Sequence, residues 1–249
     1  MILSHFKSVH IGIGMVIGLS LLLNGCGMLS SAKKPEIGPA GIPVEAKANP
    51  PFTQRFMSPP KELYDVEATA SVIFEGISKN NWFQAEVSLK NLDNLWSKLK
   101  ILIGDKKGVE EANEALQKLT LMINEKKKID SYENLTKFMA SIGEIGKSYK
   151  LSPLSDIIGV DNSIRNVSFY VANNDWHTAT IKMKELDSIW GQAKPSMESI
   201  GILGKVTTTH SIIKQMKDAI DAENKASIEE QIANINESMG YIRDYYRNK

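Results

Sequence analysis

Two stretches of this chain, KNNWFQAEVSLKNLDNLW at residues 79–96 and NNDWHTATIKMKELDSIW at residues 173–190, follow one pattern. Each places two tryptophans fourteen residues apart, with an alanine three residues after the first and a leucine four residues before the second. Trp82, Trp96, Trp176 and Trp190 are the only tryptophans of the chain. Fourteen residues are two heptads, so both rings of a pair fall on one seam of one helix. A chain that spends every tryptophan this way is built around two equivalent helices.

The seam belongs to a longer series. Ser58-Pro59 reads as an N-cap with proline at the first helical position, and Val66, Ala70, Ile73 and Ile77 then recur at four, three and four. Trp82, Ala85, Leu89, Leu92, Trp96, Leu99 and Ile103 form the second stripe, and Val109, Ala112, Leu116, Leu119 and Ile123 the third. The KKK run at 126–128 closes that helix, where positive charge suits the dipole. Asp130 with Glu133 offers a capping box for a fourth stripe of Leu135, Phe138, Ile142, Ile145 and Tyr149.

The second half repeats the first. Val160, Ile164, Val167 and Val171, then Trp176, Ala179, Met183, Leu186 and Trp190, match the first two stripes at an offset of 94 residues. Val206, Thr209, Ile213, Met216 and Ile220 match the third at 97, as do Ile232, Ile235, Met239, Ile242 and Tyr246 the fourth, with Ser227 and Glu230 as its cap. The spacing implies an all-α chain of two tandem antiparallel four-helix-bundle modules, residues 58–151 and 152–249, arising from an internal duplication. Pro153 marks their boundary, and so short a connection sets the modules end to end. Pro195 stands where the first copy has Ile101, so the second tryptophan helix is expected to kink or end just beyond Trp190. Indole rings on a heptad seam read first as core and second as a stacking surface.

The N-terminus places the chain in the cell. Ile11 to Leu23 is an apolar run of thirteen residues, which suits a signal-peptide core and falls short of the roughly 20 needed to span a bilayer. Leu23-Asn24-Gly25-Cys26 follows, and it resembles the bacterial lipobox, with an aliphatic residue three before the cysteine and a small one just before it. That resemblance implies removal of residues 1–25 and lipidation of Cys26, the only cysteine of the chain. An exported chain with one cysteine has no internal disulfide to form. Loss of the signal removes Lys7 alone among the charged residues, which brings the 30 basic residues level with the 29 acidic. Residues 27–60 hold seven of the nine prolines and no apolar period, so 26–57 reads as a lipidated cysteine followed by a tether. The chain is expected on the extracytoplasmic face of the cell membrane, held by its lipid.

Asp175-Trp176, Ala179, Leu186 and Trp190, with Asn81-Trp82, Ala85, Leu92 and Trp96, also resemble a family of small membrane-anchored proteins of Gram-positive bacteria. The likeness covers residues 81–149 and 175–246. It implies a helical, anchored protein, and it brings no activity and no catalytic residue with it.

Chemistry is sparse. No basic surplus exists to hold phosphate backbones, so nucleic acid is not an expected partner. His177 and His210 are the only histidines beyond the signal and sit at non-equivalent positions, which gives no metal site and no cofactor. Glu110-Glu111 and Glu229-Glu230 begin helices, where acidic residues complement the dipole. No nucleophile or phosphate-binding loop is present, so the chain is not read as an enzyme. Tyr241 and Tyr245, flanked by Arg243 and Arg247, join the four tryptophans as candidate binding aromatics. The favoured function is a structural or protein-interaction lipoprotein with an envelope protein as partner. The alternative is a binding module for a small ligand or envelope polymer at a cleft between or within the modules.

Overall fold

The stripes become helices with the boundaries their spacing requires. The computed structural model describes residues 57–249. The signal segment, Cys26 and the tether up to residue 56 lie outside the described residues. Eight α-helices follow among the described residues: α1 (Lys61–Ser78), α2 (Trp82–Ile103), α3 (Val109–Asn124), α4 (Lys128–Gly146), α5 (Leu154–Ala172), α6 (Trp176–Met197), α7 (Leu203–Asp221) and α8 (Lys225–Arg247).

Four helical hairpins carry the architecture: α1–α2, α3–α4, α5–α6 and α7–α8 are the most closely packed pairs. Each hairpin turns through three residues, and the middle one adopts a left-handed conformation: Asn80, Lys126, Asn174 and Glu223, with φ of 55, 55, 57 and 49°. The amide of the third turn residue donates back to the carbonyl five residues earlier, Asn81 to Gly76, Lys127 to Met122, Asp175 to Tyr170 and Asn224 to Ala219. These bonds satisfy carbonyls that a helix end otherwise leaves open. Asn81, Asp175 and Asn224 also accept a bond from the amide three residues on, which caps α2, α6 and α8. The turns fall at offsets of 94 and 97 residues, as the two halves of the sequence do.

Within each half the first helix packs on the fourth and the second on the third, closing a four-helix bundle. Trp96 and Trp190 fill the middle of these bundles and are each 1% exposed. The indole N–H of Trp96 donates to Asn113 Oδ1 at 2.8 Å, and that of Trp190 to His210 Nδ1 at 3.2 Å. Asn113 and His210 are themselves 97 residues apart, so a buried indole meets the same need at the same place in both halves. Ala85 lies against Gly76, where a β-carbon would come within 2.8 Å of the Ala85 backbone nitrogen. Close approach of α1 and α2 depends on that glycine.

Several expectations change. The halves lie side by side, not end to end. Helix α4 runs antiparallel along α5: Tyr132 stacks on Phe169 at one end, with ring centroids 3.9 Å apart, and Gly146 abuts Ser155 at the other. Helix α1 packs on both α5 and α8, and one continuous apolar core spans all eight helices, which fall in one compact unit. The division at 151/152 therefore falls in the α4–α5 connection of a shared core. Apolar faces on α1, α4, α5 and α8 beyond the first stripe drive this lateral packing.

Pro195 does not end α6 near Trp190. The helix continues to Met197, the counterpart of Ile103, with Pro195 forgoing its bond to the Gly191 carbonyl only two residues before the helix ends. Helix α1 begins at Lys61 after Pro60, not at Ser58-Pro59. Asp130 and Ser227 lie inside the first turns of their helices, which start at Lys128 and Lys225, so neither is a cap. Lys128 opens α4 instead of closing α3, and its Nζ donates to the Ser78 carbonyl at 2.9 Å.

Candidate functional site

Helix α5 carries apolar residues on nearly every face, because α4, α6 and α8 all cover it. Its sequence also places Asp161 and Arg165 four residues apart among them. Both are buried, and opposite them on α1 lies Glu67, which is 0% exposed. Arg165 bridges the two halves: Nη1 donates to Glu67 Oε1 at 2.7 Å and to Ser71 Oγ at 3.1 Å. Nη2 donates to Asn162 Oδ1 at 2.7 Å and to Glu67 Oε2 at 3.3 Å. Both terminal nitrogens of this arginine are fully engaged.

Asp161 is not. Its Oδ2 is buried without a hydrogen-bond partner. Burial, and then the negative charge of Glu67, push its carboxyl well above the ordinary range, while Arg165 and Arg243 pull the other way. A carboxyl in that position holds its proton more tightly than an exposed one.

Above this cluster α1 and α8 part and leave a groove whose floor is α5. The two walls touch near one end, where Arg247 clasps Asp65 through Nε and Nη2 at 2.7 and 3.0 Å. The groove has a volume of about 700 Å³. Val72, Phe74, Ile164 and Ile232 supply its apolar surface, and Asp161 and Arg243 reach it from below and from the side. Among the described residues the only carboxylate within ion-pair distance of Arg243 is its neighbour Asp244, at 3.9 Å. Glu75 and Lys79 pair at the rim at 2.7 Å. An apolar trough with a partly free guanidinium on its wall is suited to hold a small amphiphile.

The residues singled out from sequence lie elsewhere. Trp82 and Trp176 are partly buried at the starts of α2 and α6, and none of the four tryptophans lines the groove. Tyr241 is half exposed beneath the Lys205 ammonium. Tyr245 meets Ser199 at 3.1 Å and packs edge-on to Tyr246, far from the groove mouth. The hydrogen bonds of Tyr245 with Ser199 and Lys249 hold its phenol below its usual pKa. His210 serves Trp190, and His177 is exposed. Glu110 and Glu111 stand in the first turn of α3, whereas Glu229 lies in the second turn of α8 and lines the groove. No group of metal-ligating side chains forms among the described residues, and no described helix is long and apolar enough to cross a membrane.

Sequence reasoning missed Glu67, Asp161 and Arg165. A signal existed: an Asp and an Arg four residues apart in one of the most apolar of the described helices. Comparison of the chain with family models, curated proteins and solved structures finds no match.

Proposed function

We propose that this chain is a lipid-anchored extracytoplasmic protein of a bacterial envelope that acts as a binding module, with the groove between its two helical halves as the site. The observation that carries the reading is an apolar trough of ligand size with the partly free Arg243 guanidinium on its wall. Membrane attachment rests on Cys26 and its resemblance to a lipobox, and the tryptophan pattern supports kinship with the anchored family.

Anilinonaphthalene sulfonate, an amphiphilic anion, is a direct probe of the groove. It should bind with fluorescence enhancement and one-to-one stoichiometry, and Ala172→Trp with Ala233→Trp should abolish binding by filling the trough while leaving helicity intact. Undiminished binding in the filled variant removes the groove from the reading. Cys26→Ser should release the chain from membranes; retention of the variant at full-length mass argues for an uncleaved signal anchor.

A second reading, docking of an envelope protein, is favoured by three bulky side chains exposed at the hairpin-turn end of the first half: Phe83, Leu121 and Ile129. Crosslinking in the native host that captures a partner through these residues, and not through the groove, would select it.

A further inference from the structure

The two ends of the bundle are built differently. One end holds the four tight hairpin turns. The other gathers the start of α1, the end of α8 and the three longer connections, and contacts link them in a continuous chain. Lys107 and Gly108, between α2 and α3, meet Glu144 and Ser141 at the end of α4. Tyr64 at the start of α1 bonds Ser152 in the α4–α5 connection at 2.9 Å, and Asp65 bonds Arg247 at the end of α8. Tyr245 and Tyr246 bond Ser199 and the Met197 carbonyl at the end of α6, and Ser196 bonds Asp156 at the start of α5.

This second end presents bulky aliphatic residues to solvent in or beside every connection. Ile101 is 85% exposed, Leu151 72% and Ile200 fully so, with Leu102, Leu203 and Met57 more than half exposed or close to it. Turning apolar side chains outward costs free energy unless something covers them, and these come from both halves of the molecule. Lys100, Lys106, Lys150, Lys205 and Lys249 stand around them; none forms an ion pair among the described residues, and Lys106, Lys205 and Lys249 lie over the rings of Tyr149, Tyr241 and Tyr245. Apolar tips ringed by lysines match the acyl–headgroup boundary of an anionic bilayer.

The chain outside the structure points the same way. It joins the bundle at Met57, on this end, and about thirty residues earlier it carries Cys26. Thirty residues, even fully extended, keep the body within on the order of 100 Å of a lipid on that cysteine. At such an effective concentration modest contacts are enough to hold a surface down.

We propose that this end of the double bundle seats directly on the bilayer, with Ile101, Leu102, Leu151, Ile200 and Leu203 inserted among the headgroups. The proposal rests on the reading that Cys26 anchors the chain. Seated so, the four hairpin turns point away from the membrane. The groove, whose mouth lies between Lys79 on α1 and Glu229 on α8, then opens on that far side.

The full chain in vesicles of phosphatidylglycerol and a phosphatidylcholine carrying a photoactivatable diazirine in its acyl chain tests this, with crosslinked peptides mapped by mass spectrometry. Crosslinks are expected in peptides around 98–107, 148–156 and 196–206 and absent from the turns at 79–81, 125–127, 173–175 and 222–224. Ile101→Ser with Ile200→Ser, both at exposed positions, should reduce the tip crosslinks several-fold without loss of helicity. Crosslinks confined to residues 1–56, or equal at both ends of the bundle, overturn the docking and leave the anchoring reading standing. A chain that does not associate with the vesicles overturns both. Tip crosslinks unchanged in the double variant overturn the assignment of these side chains.

Discussion

Replacing Arg165 by methionine should cost the fold about 3–5 kcal/mol, the range for removing one partner of a buried ion pair. The structure sets that magnitude. Glu67 is completely buried and Arg165 side-chain exposure is 7%, so solvent does not screen the pair. Methionine has similar length and helix propensity, which keeps the packing and helix terms small. What remains is the loss of four donated bonds, at 2.7, 3.1, 2.7 and 3.3 Å, and a carboxylate stranded beside Asp161. The assay is urea unfolding at neutral pH followed by circular dichroism, with an unchanged slope required for the comparison. Glu67→Gln combined with Arg165→Met should recover most of the loss, because the double variant buries no uncompensated charge. A loss below about 1 kcal/mol for Arg165→Met is what an exposed pair would give, and it would refute the lateral packing of the two halves around this cluster.

Three further outcomes follow from the same structure. Asp161 is held above the ordinary carboxylate range, chiefly by burial, so the folded chain keeps a proton that the unfolded chain releases near pH 4. Stability should therefore fall as pH rises from about 4 towards the folded-state pKa, and Asp161→Asn should remove that slope in thermal melts across pH; an identical slope in the variant contradicts the assignment. Trp96→Ala and Trp190→Ala should each lose about 3–5 kcal/mol in urea melts, since both rings are fully buried. Trp82→Ala and Trp176→Ala should lose less, because these rings are only partly buried at helix starts, and equal losses at all four positions would count against this layering.

Most of the secondary structure was legible before any coordinates. An apolar repeat of three and four residues is a local signal, and it located the seams of all eight helices. Helix starts were less legible. Asp130 and Ser227 look like caps, yet in the structure the hairpin turn fixes the start two or three residues earlier. A left-handed residue at Lys126 or Glu223 has no sequence signature as plain as glycine, so the turn chemistry stayed hidden. Of the groove, the sequence singled out Arg243 beside the tyrosines, but not the Glu67, Asp161 and Arg165 cluster beneath it.

By itself, then, the sequence determined the helical class, the repeated register and the burial of Trp96 and Trp190, because each depends on residues within a few turns of one another. Only the tertiary structure decided that the halves lie side by side and that Glu67 and Arg165, 98 residues apart in sequence, meet in the core. It also decided that Ile101, Leu151 and Ile200 gather at the end where the chain enters. The physical reason is the second face of a helix. A charged residue beside an apolar stripe reads as solvated until another module covers it, and an aliphatic residue in a loop or at a helix end reads as incidental until others gather at the same end.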